Sequence, residues 1–592
     1  MERKDPSEGH PAIKAEEFSF TYPTLDGLAL EAVSFDVEPG EVLGVVGPVE
    51  AGKTTLSMAL AGFAPRHTGG TTDGDLSVAG RDPREARDNR VAMVFEDYAA
   101  QLTQVRVIDE VVAPLTNRGI PRSEAVDRAR ELLDRVRLSG LEEQFSWELS
   151  GGQQQRLALA AALAIDPEVL IFDTATDMLD PAGREEVANL IASLKGEVTL
   201  VVTENDPDAL VGVADRLMVL DDGERVALGP ADELLRNVDL LESVGVDPPI
   251  CRQIAREVDL SGSPLTPGEF LDVLEAETGG DEADAMGVRP KAANGGSVSV
   301  APGFGDPVIE AENATYRYTS DSVAVDGVDL SVQEGEVHAV IGGNGSGKTT
   351  LSKLLVGLFE PDEGRVLLSG EPTRDRTARD LAESVGITLQ NPDEQLSEQT
   401  VEKELRFPLK SRRYERTRFL RRKKRERYDE TFIEQRIETV SELVGLPDEL
   451  HGRDPMFLPR GMRRLVAMAG ALAPDPDALI LDEPVAGVDA TARKRVQRTI
   501  QQLREQGKAV VVIDHDMGFI CDVADTVTVL EDGEVAKQGP IHEVFADANW
   551  EWLSSRHLRP PLAARLARRL GIDALTADEL VGHLQPRLEV PG

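Results

Sequence analysis

Two stretches of the chain have the residues to hold a phosphate chain. Both fit the pattern G-x-x-x-x-G-K-[ST], in which glycines let the backbone wrap around phosphates while loop N–H groups and a helix N-terminus hold the negative charge. Each follows an apolar run that predicts a buried strand, at 42–46 and 337–341, and a helix is predicted over 351–358. The two loops are formed by Gly47, Pro48, Val49, Glu50, Ala51, Gly52, Lys53, Thr54 and Thr55, and by Gly342, Gly343, Asn344, Gly345, Ser346, Gly347, Lys348, Thr349 and Thr350.

The lysine and first threonine of each loop are the residues that would meet the ligand. Lys53 and Lys348 are expected to reach the terminal phosphates, and the hydroxyls of Thr54 and Thr349 to ligate Mg²⁺. The sequence therefore predicts ATP and Mg²⁺ as ligands. Because the pattern occurs twice, the chain is also expected to be an internal duplication.

The composition is that of a multidomain globular protein. The chain has 592 residues, of which 41% are apolar, and no apolar run approaches the roughly 20 residues of a membrane-spanning helix. The first 12 residues are polar and are expected to be a disordered tail without a signal peptide. With only Cys251 and Cys521 there is no disulfide framework, which suits a reducing cytoplasm.

The chain is strongly acidic, with a formal net charge of −42 and a pI near 4.6. Such a charge argues against a general nucleic-acid binder, which needs a basic surface. Of 64 basic residues only 14 are lysine. An acidic, lysine-poor surface is favoured where dense salt screens self-repulsion, so we expect a halophilic source. The alternative is an ordinary acidic protein with a basic partner.

The duplication extends beyond the loops and sets the domain organisation. Pro248-Pro249-Ile250 recurs as Pro560-Pro561-Leu562, and the predicted capping boxes Thr266-x-x-Glu269 and Thr576-x-x-Glu579 follow them. We expect a first α/β unit over 13–237 with an extension over 238–276, and a second unit over 307–549 with an extension over 550–592. The Gly-, Ala- and Ser-rich stretch 277–306 is interpreted as a linker that would let the halves pair.

One segment has no counterpart in the first copy. The second copy is longer between Gln390 and Pro459, and the additional residues fall in 410–427, the only strongly basic run of the acidic chain. This run could contact anionic lipid headgroups or an acidic patch on a partner. The bland alternative is a solvated surface helix.

Each half carries further motifs in a fixed order, and together they resemble the ATP-binding-cassette (ABC) ATPases. The elements are the signature Leu149-Ser150-Gly151-Gly152-Gln153, the Walker B end Asp482-Glu483, the switch run Asp514-His515-Asp516, the Q-loop that starts at Gln390, the tyrosines Tyr22 and Tyr318, and the D-loops Leu179-Asp180 and Val488-Asp489. The resemblance covers nearly the whole chain. It implies an α/β fold of two P-loop domains in tandem, each with a mostly parallel sheet core, an antiparallel β subdomain, a helical subdomain and a small helical extension.

Within that superfamily, Asn391-Pro392-Asp393 and the paired Pro-Pro tails look most like a fused, double-cassette energy-coupling factor (ECF) transporter ATPase, here of haloarchaeal type. The resemblance implies a transmembrane coupling subunit, a membrane subunit that captures a vitamin or a transition metal, and a peripheral position on the cytoplasmic face of the membrane. Two alternatives remain: the double-cassette ATPase of a sugar or nucleoside importer, and a soluble ABC protein outside transport. The sequence does not name the cargo.

The resemblance also implies that two nucleotides are sandwiched, each between the loop of one half and the signature of the other. The first site would combine the loop of residues 342–350 with Gln390, Asp482, Glu483 and His515, and with Ser150, Gly151, Gly152 and Gln153. Thr349, Gln390 and Asp482 would hold the metal, Glu483 would polarise the attacking water, and His515 would contact the γ-phosphate. Tyr22 and Tyr318 would stack on the adenines.

The second site lacks several of these groups. Lys53, Thr54 and Asp173 are present, but the positions of Glu483, His515 and Gln390 are occupied by Thr174, Asn205 and Glu96, and the signature begins Leu458-Pro459-Arg460. Threonine cannot accept a proton near neutral pH, and proline has neither a hydroxyl nor an N–H. We therefore expect this site to bind ATP, with Thr54 and Asp173 at the metal, but not to hydrolyse it. Glu96 could ligate Mg²⁺ or have no role.

Overall fold

A computed structural model of the chain describes residues 10–23, 27–85, 90–174, 176, 181–278, 303–319, 322–343, 345–410, 414–415, 425–426 and 429–588. The chain folds into two compact units, the first of residues 1–283 together with 584–592 and the second of residues 284–583. Asn344 of the second loop, the D-loop Leu179-Asp180, most of the expected linker and most of the basic run lie outside the described residues.

The first unit contains nine strands and ten α-helices among the residues described. Its strands are β1 (Ile13–Thr21), β2 (Leu30–Val37), β3 (Val42–Val46), β4 (Thr71–Val78), β5 (Val91–Val94), β6 (Val169–Phe172), β7 (Thr199–Glu204), β8 (Arg216–Asp221) and β9 (Glu224–Pro230). Its helices are α1 (Lys53–Leu60), α2 (Tyr98–Gln101), α3 (Val107–Asn117), α4 (Arg122–Arg135), α5 (Gly151–Leu163), α6 (Pro181–Leu194), α7 (Ala231–Arg236), α8 (Val238–Ser243), α9 (Ile250–Glu257) and α10 (Pro267–Thr278).

The second unit has a similar order of elements, with twelve strands and eleven α-helices among the residues described. Its strands are β10 (Pro307–Thr319), β11 (Ser322–Gln333), β12 (Val337–Gly342), β13 (Glu363–Leu368), β14 (Glu371–Pro372), β15 (Val385–Thr388), β16 (Tyr414–Glu415), β17 (Arg425–Glu426), β18 (Ala478–Asp482), β19 (Ala509–Ile513), β20 (Thr526–Glu531) and β21 (Glu534–Pro540). Its helices are α11 (Lys348–Leu355), α12 (Ala378–Ser384), α13 (Val401–Lys410), α14 (Glu430–Val444), α15 (Arg460–Leu472), α16 (Ala490–Glu505), α17 (Met517–Val523), α18 (Ile541–Val544), α19 (Trp550–Ser554), α20 (Leu562–Arg569) and α21 (Ala577–Leu588).

Each unit is built on a six-stranded sheet in which only the last pair is antiparallel. The orders are β5-β6-β7-β3-β8-β9 and β15-β18-β19-β12-β20-β21. The strands that lead into the phosphate loops, β3 and β12, are central and buried along their whole length, as expected of parallel strands covered on both faces. A second, antiparallel sheet holds β2-β1-β4 or β11-β10-β13-β14. This architecture confirms the predicted fold class.

The extensions carry the predicted capping boxes. The Thr266 hydroxyl accepts from the N–H of Glu269, and the Thr576 hydroxyl accepts from the N–H of Glu579, both over 3.2 Å. Each glutamate reaches back to a backbone N–H just before its helix, at Leu265 and at Leu575. Both cysteines are buried, and they do not form a disulfide with each other.

Two expectations about local structure differ from the result. The helix after the second loop begins at Lys348 and ends at Leu355, earlier than predicted. Its N-cap is Gly347, which is itself a residue of the loop. In the basic run, Tyr414–Glu415 pairs antiparallel with Arg425–Glu426. The surface-helix alternative is therefore wrong for those four residues.

Candidate functional site

The second phosphate loop joins β12 to α11 through backbone that only glycine tolerates. Gly347 has φ +100°, and a Cβ there would lie 2.3 Å from the Ala324 carbonyl oxygen. A Cβ on Gly342 would lie 2.4 Å from the Leu530 carbonyl oxygen. The Lys348 ammonium donates to the carbonyls of Gly342 and Gly343 over 2.8 and 2.9 Å. The loop thus places a lysine and the N-terminus of α11 beside one another, which suits a polyphosphate.

The first loop repeats that geometry between β3 and α1. Gly52 has φ +98°, and the Lys53 ammonium donates to the carbonyls of Gly47 and Pro48 over 2.6 and 2.7 Å. Pro48, Val49 and Glu50 differ from the corresponding residues of the second loop. The conformation around Lys53 is nevertheless the same as that around Lys348. Phosphate binding needs little beyond this backbone and cation.

The two predicted aromatic residues occupy equivalent positions. The hydroxyls of Tyr22 and Tyr318 lie 3.2 Å from the hydroxyls of Thr55 and Thr350, the last residues of the two loops. Each ring packs edge-on against a second aromatic ring, Phe20 or Tyr316, at centroid separations of 4.7 and 5.3 Å. Both rings are therefore fixed at the mouth of a phosphate loop.

The second unit gathers its predicted catalytic residues at the carboxyl ends of the parallel strands. Glu483 follows β18, His515 follows β19, and Gln390 follows β15. The Gln390 amide donates to the Glu483 carboxylate over 2.8 Å, and the His515 Nδ1 lies 3.7 Å from the other carboxylate oxygen. Gln390 and His515, which are 93 and 32 positions from Glu483 in sequence, thus both lie beside its carboxylate.

The two adjacent carboxyl groups have opposite pKa shifts. Burial, followed by the negative charge of Glu483, raises the pKa of Asp482 to about 6, although Lys348 opposes the shift. Burial alone would raise the pKa of Glu483 too, but the nearby His515 ring, the Gln390 amide and Lys348 outweigh it and lower that pKa. Glu483 therefore loses its proton at lower pH than Asp482 does. Complete burial raises the pKa of Asp514, whose carboxylate accepts from the N–H groups of His515 and Asp516.

The equivalent region of the first unit has a different set of hydrogen bonds. Thr54 donates to the Asp173 carboxylate over 3.3 Å, and Thr203 donates to the same oxygen over 3.0 Å. The N–H of Thr174 donates to the Thr203 hydroxyl over 2.9 Å, whereas that of Glu483 donates to the Ile513 carbonyl over 2.7 Å. Burial raises the pKa of Asp173. Glu96 and Asn205 follow β5 and β7, the strands equivalent to those that precede Gln390 and His515.

The two signature segments begin equivalent helices with different caps. The N–H of Ser150 donates to the Gln153 side chain over 2.9 Å, and the Ser150 hydroxyl accepts from the N–H of Gln153 over 3.4 Å. This reciprocal box leaves Ser150 exposed at the N-terminus of α5, with Gly151 and Gly152 beside it. Pro459 caps α15 in the second unit without any side-chain hydrogen bond.

Two sets of residues support these loops and were not given roles from the sequence. Gln101 accepts from the N–H of Phe95 and donates to Met93, and Gln395 does the same with Leu389 and Ile387. The recurrence of glutamine at equivalent positions of the two copies was the available signal. Arg464 of α15 donates to the carbonyls of Gln390, Glu483 and Ala486. Burial lowers the pKa of this guanidinium to about 10.

A family model described as ABC transporter matches residues 30–177 and 325–486, which together make up more than half of the chain. The chain belongs to the ABC transporter family. It is an ATP-binding protein with two ABC cassettes, and it hydrolyses ATP.

Relatives with the same double length share this assignment. An ABC transporter ATP-binding protein of Methanosarcina acetivorans is 32% identical over 602 residues, covering 98% of this chain and 95% of the relative. One of Caldanaerobacter subterraneus subsp. tengcongensis is 31% identical over 595 residues, covering 96% and 98%. The solved structure of cbiO1 from Clostridium perfringens, described as part of the ABC transporter complex cbiONQ, is 29% identical and covers 44% of this chain and 99% of its own, with a TM-score of 0.37.

ATP and Mg²⁺ are the ligands of ABC cassettes, and the oxygen donors of these fit the metal. Thr54 and Asp173 bring a hydroxyl and a carboxylate within 3.3 Å of each other, and Mg²⁺ prefers such hard oxygen ligands together with substrate phosphates. Thr349 and Asp482 are the equivalent donors of the second cassette. Across the described ranges, no helix is long and apolar enough to cross a bilayer.

Proposed function

We propose that this ABC transporter ATPase energises import of a vitamin or a transition metal through an ECF-type complex. One composite site hydrolyses ATP and the other holds it. The observation that carries the division of labour is the cluster of Gln390, Glu483 and His515 in the second cassette, opposed to Glu96, Thr174 and Asn205 in the first.

The competent site takes its phosphate loop from the second cassette and its signature from the first. Lys348 holds the terminal phosphates, and Thr349, Asp482 and Gln390 hold Mg²⁺, which neutralises charge on the phosphates. Glu483 polarises the attacking water and His515 contacts the γ-phosphate. Ser150 and the N–H groups of Gly151 and Gly152 close on that phosphate at the N-terminus of α5, where an anion is favoured. Positioning and charge stabilisation of this kind account for most phosphoryl-transfer catalysis.

The degenerate site retains binding without the catalytic groups. Lys53 keeps the loop geometry of Lys348, and Thr54 with Asp173 keeps the metal donors. Loss of a general base costs a factor of about 10²–10⁴ in rate, and the glutamine, the histidine and the signature serine are replaced as well. ATP bound there joins the cassettes and is not turned over.

Exposed aromatic residues support a membrane partner for each cassette. Phe145 and Trp147 stack with ring centroids 4.8 Å apart, and Trp147 is 64% exposed. Val105, also exposed, accepts from the N–H between them, at Ser146. In the second cassette, the equivalent segment exposes Met456 and 83% of Phe457. Exposed apolar patches on an acidic surface favour a protein interface, here with the transmembrane coupling subunit.

The ECF assignment rests on Asn391-Pro392-Asp393 and on the duplicated extensions. Asn391 caps the turn after Gln390 by accepting from the N–H of Asp393 over 3.2 Å. Each extension is a pair of helices after a Pro-Pro step, and in each the capping glutamate accepts from a backbone N–H just before the second helix. The acidic, lysine-poor composition suits a haloarchaeal cytoplasm, with the protein peripheral on the inner membrane face.

Affinity purification of the full chain from membranes of its native host, in molar KCl, tests this assignment. The expected result is co-purification of two integral membrane proteins, one of which binds a vitamin or a transition metal. A separate solute-binding protein for a sugar or nucleoside, or recovery with ribosomes, would contradict it. Paired Trp147→Ser and Phe457→Ser substitutions should reduce membrane recovery while nucleotide binding stays unchanged.

A further inference from the structure

The second cassette buries a cation that the first cassette lacks. Arg464 of α15 is 2% exposed, and its counterpart on α5 is Gln155, also 2% exposed. The cassette with Glu483 therefore carries a buried guanidinium, and the cassette with Thr174 carries a neutral amide. Burying a charge is costly unless it is compensated, so the arginine must be matched by groups around it.

Those groups are backbone carbonyls of the catalytic loops. One terminal nitrogen of Arg464 donates to the carbonyl of Glu483, and the other donates to Gln390 over 3.1 Å and to Ala486 over 3.3 Å. The planar guanidinium holds its donors in a fixed fork. It therefore fixes the Q-loop and the end of the Walker B strand relative to each other.

Like its counterpart Thr174, which has φ +50°, Glu483 has a left-handed backbone conformation. Its φ is +48°, a conformation that residues with a Cβ rarely adopt. Its N–H donates to the Ile513 carbonyl over 2.7 Å, and its own carbonyl accepts from Arg464. Both main-chain polar groups of Glu483 are hydrogen-bonded, and this restricts the direction of its side-chain carboxylate.

The same helix makes a second contact with the Q-loop. Arg463, next to Arg464, donates to the Asp393 carboxylate over 2.6 Å. The equivalent residues of the first cassette are Gln154 and Ala99, which cannot form an ion pair. The double contact of α15 with the Q-loop thus occurs in the cassette that has the catalytic carboxylate.

We propose that Arg464 is a positioning residue for ATP hydrolysis, which holds the carboxylate of Glu483 and the amide of Gln390 in their reactive places through the backbone. The inference rests on the proposed role of Glu483. It adds that the second cassette's altered signature helix serves catalysis within its own cassette, from its buried face.

Steady-state ATPase assays on the full chain test this inference. Arg464→Gln introduces the residue of the first cassette and should lower kcat about ten- to hundredfold, the effect of misplacing a catalytic group, with KM for ATP within about twofold. Arg464→Lys keeps the charge but cannot span three carbonyls, so its kcat should fall between those of Arg464→Gln and the wild type.

Arg436 provides the matched control. Its guanidinium also donates to backbone carbonyls, of Leu472 and Ala473, but at the opposite end of α15. Arg436→Gln should lower the Tm while leaving kcat within about twofold. A folded Arg464→Gln with wild-type kcat, or with a raised KM and unchanged kcat, would overturn the inference. If Arg464→Gln does not fold, Arg464→Lys decides by the same criterion.

Glu483→Gln separates this inference from the proposed function. If that variant retains most turnover, the proposed competent site is wrong. If it abolishes turnover while Arg464→Gln keeps the wild-type kcat, only the positioning role fails.

Discussion

The Gln390 amide donates to the carboxylate of Glu483 over 2.8 Å. The equivalent positions of the first cassette hold Glu96 and Thr174, so neither the amide donor nor the carboxylate acceptor exists there. Because the two residues contact each other directly, replacement of either one removes the hydrogen bond between them. Both partners of this one interaction are thus replaced together in the first cassette.

Exchange of the Q-loop residues tests that pair. Gln390→Glu places a second carboxylate against Glu483, and like charges at that distance repel and raise a carboxyl pKa. We expect kcat to fall about tenfold or more, and the acid limb of the kcat profile to move to higher pH. Glu96→Gln in the first cassette is the control and should leave kcat within about twofold. Equal effects of the two substitutions would contradict the asymmetry.

The Walker B position gives a second test, by ATPase rate in the intact chain. Glu483→Gln should abolish turnover, because it removes the carboxylate that polarises water. Thr174→Glu should raise the rate little, since Asn205, Glu96 and Pro459 remain at the same site. A large gain from Thr174→Glu would show that a single substitution had inactivated that site.

The signature serine can be replaced by proline with little change of backbone. Ser150 has φ −63°, close to the value fixed by proline, and Leu149 has the extended conformation preferred before proline. Ser150→Pro should therefore fold, with loss of the helix cap costing about 1 kcal/mol, yet lower kcat about a hundredfold or more. Pro459→Ser is the counterpart and should leave kcat nearly unchanged. Thermal unfolding measured beside ATPase activity separates the two effects, and equal loss of activity in both variants would argue against the proposed sandwich.

The phosphate loops could be predicted from sequence because their conformation is local. Gly52 and Gly347 adopt φ near +100°, and the lysine of each loop is bonded to carbonyls five and six positions earlier. The sheet and the extensions could also be predicted, because the same weak sequence patterns occur in the same order in both halves of the chain. The fold class follows from the same local signals.

The support of Glu483 could not be predicted in the same way. Arg464 reaches a carbonyl 74 positions away in sequence, at Gln390, and its acceptors are backbone atoms that carry no sequence signal. The positive φ of Glu483 is likewise imposed by neighbours, because the residue itself disfavours it. Such features depend on packing of distant segments, and sequence patterns describe mainly neighbours.

Nucleotide occupancy tests whether the degenerate site holds ATP. With Glu483→Gln to prevent turnover, the chain should bind about two ATP per molecule in equilibrium measurements. Adding Lys53→Ala or Lys348→Ala should remove one ATP each, because each lysine contacts the carbonyls that shape its loop. If Lys53→Ala leaves the stoichiometry unchanged, the first loop does not hold nucleotide.

The second extension should be less firmly held at alkaline pH than the first. His542 pairs with Glu579 over 3.1 Å, whereas the equivalent Glu269 pairs with Arg236 over 3.0 Å. The contact with Glu579 raises the pKa of His542, despite burial and with a smaller contribution from the negative charge of Asp573. Burial opposes but does not prevent the lowering of the Glu579 pKa by His542 and by the N–H of Leu575.

The signs of these shifts define the pH range of the effect. A raised histidine pKa adds stability below about pH 6.5, and that stability is lost as pH rises through the folded-state pKa; a lowered glutamate pKa adds stability above about pH 4.5. The pair therefore contributes most between these values. Both side chains are partly exposed, so the contribution is below about 1 kcal/mol.

His542→Arg should remove this pH dependence, since arginine stays charged. The Tm difference between His542→Arg and the wild type should widen as pH rises from 5.5 to 8.5, because only the wild type loses its cation over that range. Adding Glu579→Gln to both chains should abolish the difference, since the ion pair is then absent from each. A Tm difference that stays constant with pH would show that the His542 charge does not hold the extension.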